Sequence, residues 1–540
     1  MIPSAYADTF ARDHLPPLAE WPDLIFELPD YRYPDRLNCV TELLDRWLAK
    51  GWQQRPCLIT ANETVSYGAL AERVNRIANV LVKDLGLKSG QRVLLRSANN
   101  PQFVAAYLAV MKAGGIAVAT MPLLRAKELA YPINKAEISL SLCDFRLAEE
   151  MEKAKALAPA LKRIIYFNSP EDDGLEALMR KASPQFEAFD TAADDVCLIG
   201  FTSGTTGEPK GTMHFHRDML LIADGYGKHV LKANENDRFI GSPPLAFTFG
   251  LGGLVVFPMR VGASSILLEK ATPDDLVAAI DRHGATITFT APTAYRAMLG
   301  RLQPGSCRSL RKCVSAGETL PKAVFDAWLN ATRIKLMDGI GATEMLHIFI
   351  GAPEEKIRAG STGLPVPGYQ AKIVDDEGRD VPHGTAGRLA VKGPIGCRYL
   401  DDPRQHNYVE KGWNITGDTF IEDDDGYFWY QARSDDMIIS AGYNISGIEI
   451  ENALLTHPAI AECAVIGIAD EERGMVPKAF VVLRPGHTGD AQMVKTLQDH
   501  VKNEIAPYKY PRRVEFRDAL PKTQTGKLQR FALRAEEARK

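Results

Sequence analysis

The sequence predicts an α/β protein: a large N-terminal domain of mostly parallel, helix-covered sheets, then a small mobile α+β domain. Three observations predict it. Short apolar strands alternate with helical periodicity through most of the chain. The texture changes near residues 426–439, where aromatic and charged residues lead into a glycine turn. A compact tail with strand and helix patterns of its own follows, and it has the size of a small domain.

The elements justify this reading in order. VSYGALAERVNRIANVLVKDL (65–85) carries apolar residues at helical spacing. RVLLRSAN (92–99) is a short apolar strand that ends in a polar turn, and PQFVAAYLAVMKAGG (101–115) is a helix closed by glycines. GIAVATM (115–121) is strand-like again, so βα units repeat and the sheets are expected to be parallel. In the tail, EIENALL opens a helix, KAFVVL is a strand and AQMVKTLQDHVKNEI is a second helix. The division is set at 1–434 and 435–540. The linker is too short for free tumbling and is expected to act as a hinge.

Composition narrows the function. The 540 residues are 45% hydrophobic and 24% charged with a formal net charge of -4, which gives no basic footprint for nucleic acid. The 8 cysteines form no CxxC and no zinc-spaced cluster, which suits a reducing compartment. The first 22 residues lack the apolar run of a signal peptide, and no stretch is apolar for long enough to span a bilayer. A cytoplasmic protein without a membrane partner is expected.

The most specific segment is CLIGFTSGTTGEPKGTMH (197–214). An apolar strand feeds a loop of Thr202, Ser203, Gly204, Thr205, Thr206, Gly207 and Lys210. Glycines let backbone approach a polyphosphate, hydroxyls and N–H groups donate to its oxygens, and the lysine adds charge. Lys210 follows Pro209, so neither Walker A nor GxGxxG spacing is met.

This segment resembles the signature loop of the adenylate-forming superfamily of acyl-CoA synthetases, adenylation domains and luciferases, and further motifs follow in that family's order. SAGETLP (315–321), with Gly317 and Glu318, is similar to its adenine-side loop. DGIGATEM (338–345) resembles the segment whose Asp338 and Gly339 line ATP, with Thr343 on the α-phosphate and Glu344 on Mg²⁺. ITGD (415–418) and Arg433 match the ribose pair Asp418 and arginine; Asp435 matches the hinge residue. SAGYNISGIEIE (440–451) resembles the CoA-tunnel turn, with Ser440, Ala441, Gly442 and Tyr443. PKTQTGKLQR (521–530) supplies Lys527, matched to the catalytic lysine. Each residue alone also has a plain reading: Asp418 as a turn residue, Glu344 and Lys527 as solvated charges, Arg433 and Asp435 as a surface ion pair. The resemblance implies an acid–thiol ligase that takes ATP and CoA as co-substrates with Mg²⁺, acting as a monomer or homodimer.

PPLAFTFGLGG (243–253) and GATEMLHIFIG (341–351) most resemble benzoate- and 2-aminobenzoate-CoA ligases. The resemblance puts Phe247, Thr248, Phe249, Gly339, Ile340 and His347 around an aromatic acid, as in aromatic acid degradation. For Phe247 and Phe249 ordinary core is the plain reading, and for His347 it is a satisfied core histidine. GTMHFHRDM also resembles 2-aminobenzoate ligases, although its His214 and His216 need not touch the acid and form only a weak metal motif. Three alternatives stay open: a medium-chain fatty acyl-CoA ligase, an adenylation enzyme that loads a carrier protein, and an AMP-sensing protein on a dead ligase.

Overall fold

A computed structural model describes residues 1–170, 174–202, 209–433, 436–440, 443–470, 473–505, 509–522 and 528–540. Its described strands form four sheets. One six-stranded sheet runs Arg163–Phe167, Leu140–Asp144, Arg92–Arg96, Ile116–Thr120, Val196–Phe201 and Gly211–Phe215, all parallel except the last pair. An eight-stranded sheet has a parallel interior and antiparallel strands at both edges, Ile348–Gly351 and Thr64–Ser66. Arg92–Arg96 and Leu140–Asp144 are buried at every position, as expected of parallel strands covered on both faces.

The predicted helix at 65–85 is α-helical over Tyr67–Asn79 and continues as a π-turn over Val80–Asp84. Ser66 caps its start by accepting from the Ala69 N–H at 3.2 Å. Asn100 caps the helix Pro101–Lys112 in the same way, accepting from Phe103 at 2.9 Å. Gly114, at φ 76°, turns the chain out of that helix.

The third sheet departs from the predicted βα alternation. Gln370–Val374, Gly387–Lys392, Trp413–Glu422 and Phe428–Arg433 pair antiparallel. Tight polar turns with Gly378 and Gly426 at φ 77° and 80° join its neighbours, so no crossover helix is needed.

The chain leaves that sheet at Arg433 and enters the fourth at Ile438. The fourth sheet holds Tyr443–Ile445, Ile438–Ser440, Gly474–Leu483, Ile460–Asp470 and Arg513–Phe516. Helices Gly447–Leu455 and Ala491–Glu504 cover it around a core of its own, with Ile438, Ile450, Leu454, Val465, Val481 and Leu497. This C-terminal unit touches the large one through Arg296, whose guanidinium donates to Ala461 O at 3.1 Å and to Glu462 at 3.2 Å. Among the described residues no helix is long and apolar enough to cross a membrane.

Candidate active site

Strands Val196–Phe201 and Gly211–Phe215 flank the predicted phosphate loop. Thr202 N–H donates to Lys210 O at 3.0 Å, and Lys210 N–H returns to Thr202 Oγ1 at 3.2 Å. Ser203, Gly204, Thr205, Thr206 and Gly207 lie outside the described residues. The Lys210 ammonium donates to the Tyr399 hydroxyl at 2.7 Å and stands 3.6 Å from Glu344 Oε1. Tyr399 in turn donates to the Glu344 carboxylate. Burial, and then the Glu344 charge, push the Tyr399 phenol far up, so it stays protonated and remains a donor. Glu344 is buried at 6% exposure, which removes its plain reading as a solvated charge.

Thr343 opens a short turn, Thr343–Met345, directly after strand Leu336–Gly341. A Cβ on Gly200 would lie 3.0 Å from Thr343 Cγ2 and 4.0 Å from Thr248 Cγ2. The strand that feeds the phosphate loop, the predicted α-phosphate residue and a predicted acid-pocket residue therefore meet at one point. Gly339 is equally constrained, since a Cβ there would come within 2.8 Å of Ile348.

On the predicted nucleotide side, Ser315 and Ala316 lie in parallel register with Asp338 and Gly339. Asp338 Oδ1 is buried without a partner among the described residues. Burial raises its carboxyl well above the usual carboxylate range, offset in part by the Gly339 backbone and Ser315. Gly317, at φ 88°, turns the loop, and Glu318 accepts from Thr293 N–H at 3.4 Å. Asp418 is buried at 8% exposure and sits opposite Arg433 across adjacent strands, so the two predicted ribose residues share one edge.

Of the residues predicted to hold the acid, His347 lies in an aromatic cluster and Phe249 is one of its neighbours. The His347 ring stands 4.5 Å from Phe257, 5.8 Å from both Phe249 and Tyr226, and 6.3 Å from Phe289. Neither imidazole nitrogen meets a hydrogen-bond partner among the described residues, so His347 is not a satisfied core histidine. Burial, slightly offset by the Phe249 backbone, pushes it down to about 3 and keeps it neutral. Gly252 makes the space, because a Cβ there would lie 2.3 Å from His347 Cδ2. Phe247 precedes the short helix Thr248–Leu251, and Ile340 lies half-buried against the cluster of Met345, Phe349 and Tyr399.

A family model described as AMP-binding enzyme matches residues 45–398, and one described as AMP-binding enzyme C-terminal domain matches 449–527. The chain belongs to the AMP-binding enzyme family. The benzoate–CoA ligase of Thauera aromatica is 37% identical to this AMP-binding enzyme over 514 residues, covering 94% of this chain and 97% of that one. Among solved structures, the anthranilate CoA ligase AuaEII in complex with anthranoyl-AMP matches with TM-score 0.90 at 35% identity, over 95% of this chain and 99% of that chain. A benzoate CoA ligase from Burkholderia xenovorans LB400 matches with TM-score 0.84 at 32% identity, over 92% and 100%.

For an AMP-binding enzyme the donor set at Glu344 fits Mg²⁺. It is one hard carboxylate beside a phosphate loop, and Mg²⁺ keeps several waters and takes few protein ligands. Of the predicted CoA residues, Ser440 is buried and pairs with Tyr443 across a hairpin, while Ala441 and Gly442 lie outside the described residues. Asp435 and Lys527 do so as well.

Sequence reasoning missed Tyr399, Tyr226, Phe257 and Phe289. The glycine pair at 252–253 could have signalled a close approach, though it names no ring. It also missed a buried group of Cys39, Cys197 and His216, which linear spacing could not reveal. There the Cys39 N–H donates to His216 Nδ1 at 3.2 Å, and the Tyr6 hydroxyl meets Nε2 at 3.2 Å. Both imidazole nitrogens are thus already engaged by protein.

Proposed function

We propose that this AMP-binding enzyme is an ATP-dependent aryl-CoA ligase with 2-aminobenzoate or benzoate as its acid. The acid's carboxylate oxygen attacks the α-phosphorus of ATP, the bond to the β-phosphate oxygen breaks, and pyrophosphate leaves. The thiol of CoA then attacks the acyl carbon of the adenylate, losing its proton as AMP departs. No side-chain nucleophile is required. The protein aligns two anions and offsets developing charge. Lys210 and Lys527 supply cations, Thr343 meets the α-phosphate, and Asp418 and Arg433 hold the ribose. Glu344 would hold Mg²⁺, which would neutralise phosphate charge. Ser440, Ala441, Gly442 and Tyr443 line the path of CoA, and Asp435 is the hinge between the half-reactions. The reaction runs in the cytoplasm, with the enzyme as a monomer or homodimer.

One observation carries the aromatic reading. Phe249, Phe257, Phe289 and Tyr226 gather around His347 beside the residues proposed to hold the acid, and an aromatic surround suits a flat ring better than an alkyl chain. Thr248 bears on the ring substituent. It sits beside the Gly200–Thr343 contact, hence near the carboxylate end, where an ortho group would lie. Thr248 is half-buried, and an ortho amino group would pair with its hydroxyl. His347 bounds the far end and disfavours bulky para groups.

CoA- and ATP-dependent AMP release over benzoate, aminobenzoates, hydroxybenzoates and hexanoate tests the reading. Thr248→Ala is expected to lower kcat/KM for 2-aminobenzoate about tenfold to a hundredfold while sparing benzoate. Equal losses would make Thr248 a packing residue. Turnover of hexanoate with neither aromatic acid would end the aryl reading.

A further inference from the structure

We propose that His214 is a positioning residue for the Thr343–Glu344 turn, acting through the Thr343 backbone carbonyl. The inference rests on the adenylation reading of that turn. His214 is fully buried on strand Gly211–Phe215, which begins directly after Lys210. Its Nε2 lies 2.7 Å from Thr343 O. A carbonyl only accepts, so Nε2 carries the proton and donates.

The turn needs such an anchor. It ends at Leu346 with φ 65°, a left-handed conformation that costs a branched residue energy and persists only where surroundings over-determine it. Thr343 O accepts from Leu346 N–H at 3.1 Å and from His214, so both bonds fix the same carbonyl. Thr343 and Glu344 sit on the backbone so fixed.

Behind His214 stands a rigid polar unit. Its Nδ1 faces Asp218 Oδ2 at 3.7 Å, and Asp218 accepts from Phe215 N–H at 3.0 Å and is paired with Arg398, every side chain of this set being buried. Arg398 Nε donates to Met213 O at 3.2 Å, and Met213 N–H donates to Arg398 O at 2.8 Å. The next residue, Tyr399, reaches the Glu344 carboxylate. The strand after the phosphate loop thus grips the Thr343–Glu344 pair twice, at the backbone through His214 and at the side chain through Arg398 and Tyr399.

The geometry sets a test that a general packing role would fail. In His214→Gln the amide nitrogen sits near the Nε2 position and can donate to Thr343 O. In His214→Asn it sits near the Nδ1 position and faces Asp218 instead. Both are measured in the full chain beside wild type by ATP–pyrophosphate exchange with benzoate at varied Mg²⁺, by thioester formation from synthetic benzoyl-adenylate, and by the rise in Tm on adding MgATP. His214→Asn is expected to lose about tenfold to a hundredfold in exchange, the scale of one buried hydrogen bond. It should also need more Mg²⁺ and show a smaller MgATP-induced rise in Tm, with the thioester step nearly intact. His214→Gln should recover most of each loss. The proposal is overturned if the two variants behave alike, or if both half-reactions fall together. Absence of exchange in wild type with benzoate and with 2-aminobenzoate alike would instead remove the adenylation reading, and the positioning role with it.

Discussion

His347 is held neutral because its imidazole lies among aromatic rings with neither nitrogen bonded to a described partner. Its folded pKa, about 3, lies below the ordinary 6.5. Below pH 6.5 the unfolded chain therefore takes up a proton that the folded chain refuses. Stability on this account is complete above that pH and is lost as pH falls toward 3, by up to about 1.4 kcal/mol per pH unit. His347→Leu removes the titrating group, so its stability should fall less steeply than wild type between pH 7 and pH 5. Other titrating groups cancel in that difference. Parallel pH profiles of Tm for the two proteins would show that the imidazole protonates freely in the fold. At this scale the loop chemistry named Lys210, and a family resemblance, not local chemistry, named Thr343, Glu344 and Asp418. Tyr399 could not be named, because its role arises only when residues far apart in the chain meet at Glu344.

The helical segment that carries Gly252 shows how element and pocket constrain each other. Alanine is normally better than glycine inside a helix by about 1 kcal/mol. Here a Cβ would stand 2.3 Å from His347 Cδ2 and 2.7 Å from Nε2, and Phe257 at 4.5 Å limits the ring's retreat. Overpacking of this kind costs about 1–3 kcal/mol, which outweighs the propensity gain. Gly252→Ala should therefore lower Tm, and it should reduce kcat/KM for benzoate more than for a smaller acid. A raised Tm would mean that His347 has room to move. Arg92–Arg96, Ile116–Thr120 and Val196–Phe201 of the six-stranded sheet were legible because strands covered on both faces read as short apolar runs. The antiparallel sheet from Gln370 to Arg433 was not. Its strands carry polar residues between turns, and periodicity alone does not say whether the next strand returns beside its predecessor or crosses over.

The whole molecule is a large unit and a C-terminal unit with a core of its own, and Arg296 and Glu462 are among the residues that meet between them. Glu462 on the C-terminal unit is shared between Arg296 of the large unit at 3.2 Å and Lys522 of its own unit at 2.7 Å. Arg296 and Glu462 are 31% and 27% exposed, so solvent screens the pair and it contributes at most about 1 kcal/mol. That is too little to matter for either core. It is enough to alter the ratio of the two domain orientations that the proposed hinge implies by about fivefold if the contact forms in only one of them. The sequence showed where the texture of the chain changes, but not this contact, because a charge pair between units leaves no periodic trace. Arg296→Ala should therefore leave Tm close to wild type. It should change the ratio of adenylate formation to thioester formation by up to about fivefold, and raised salt should shrink the difference as the pair is screened in wild type. If both half-reactions keep their wild-type ratio at low salt, the Arg296–Glu462 contact is common to both orientations and selects neither.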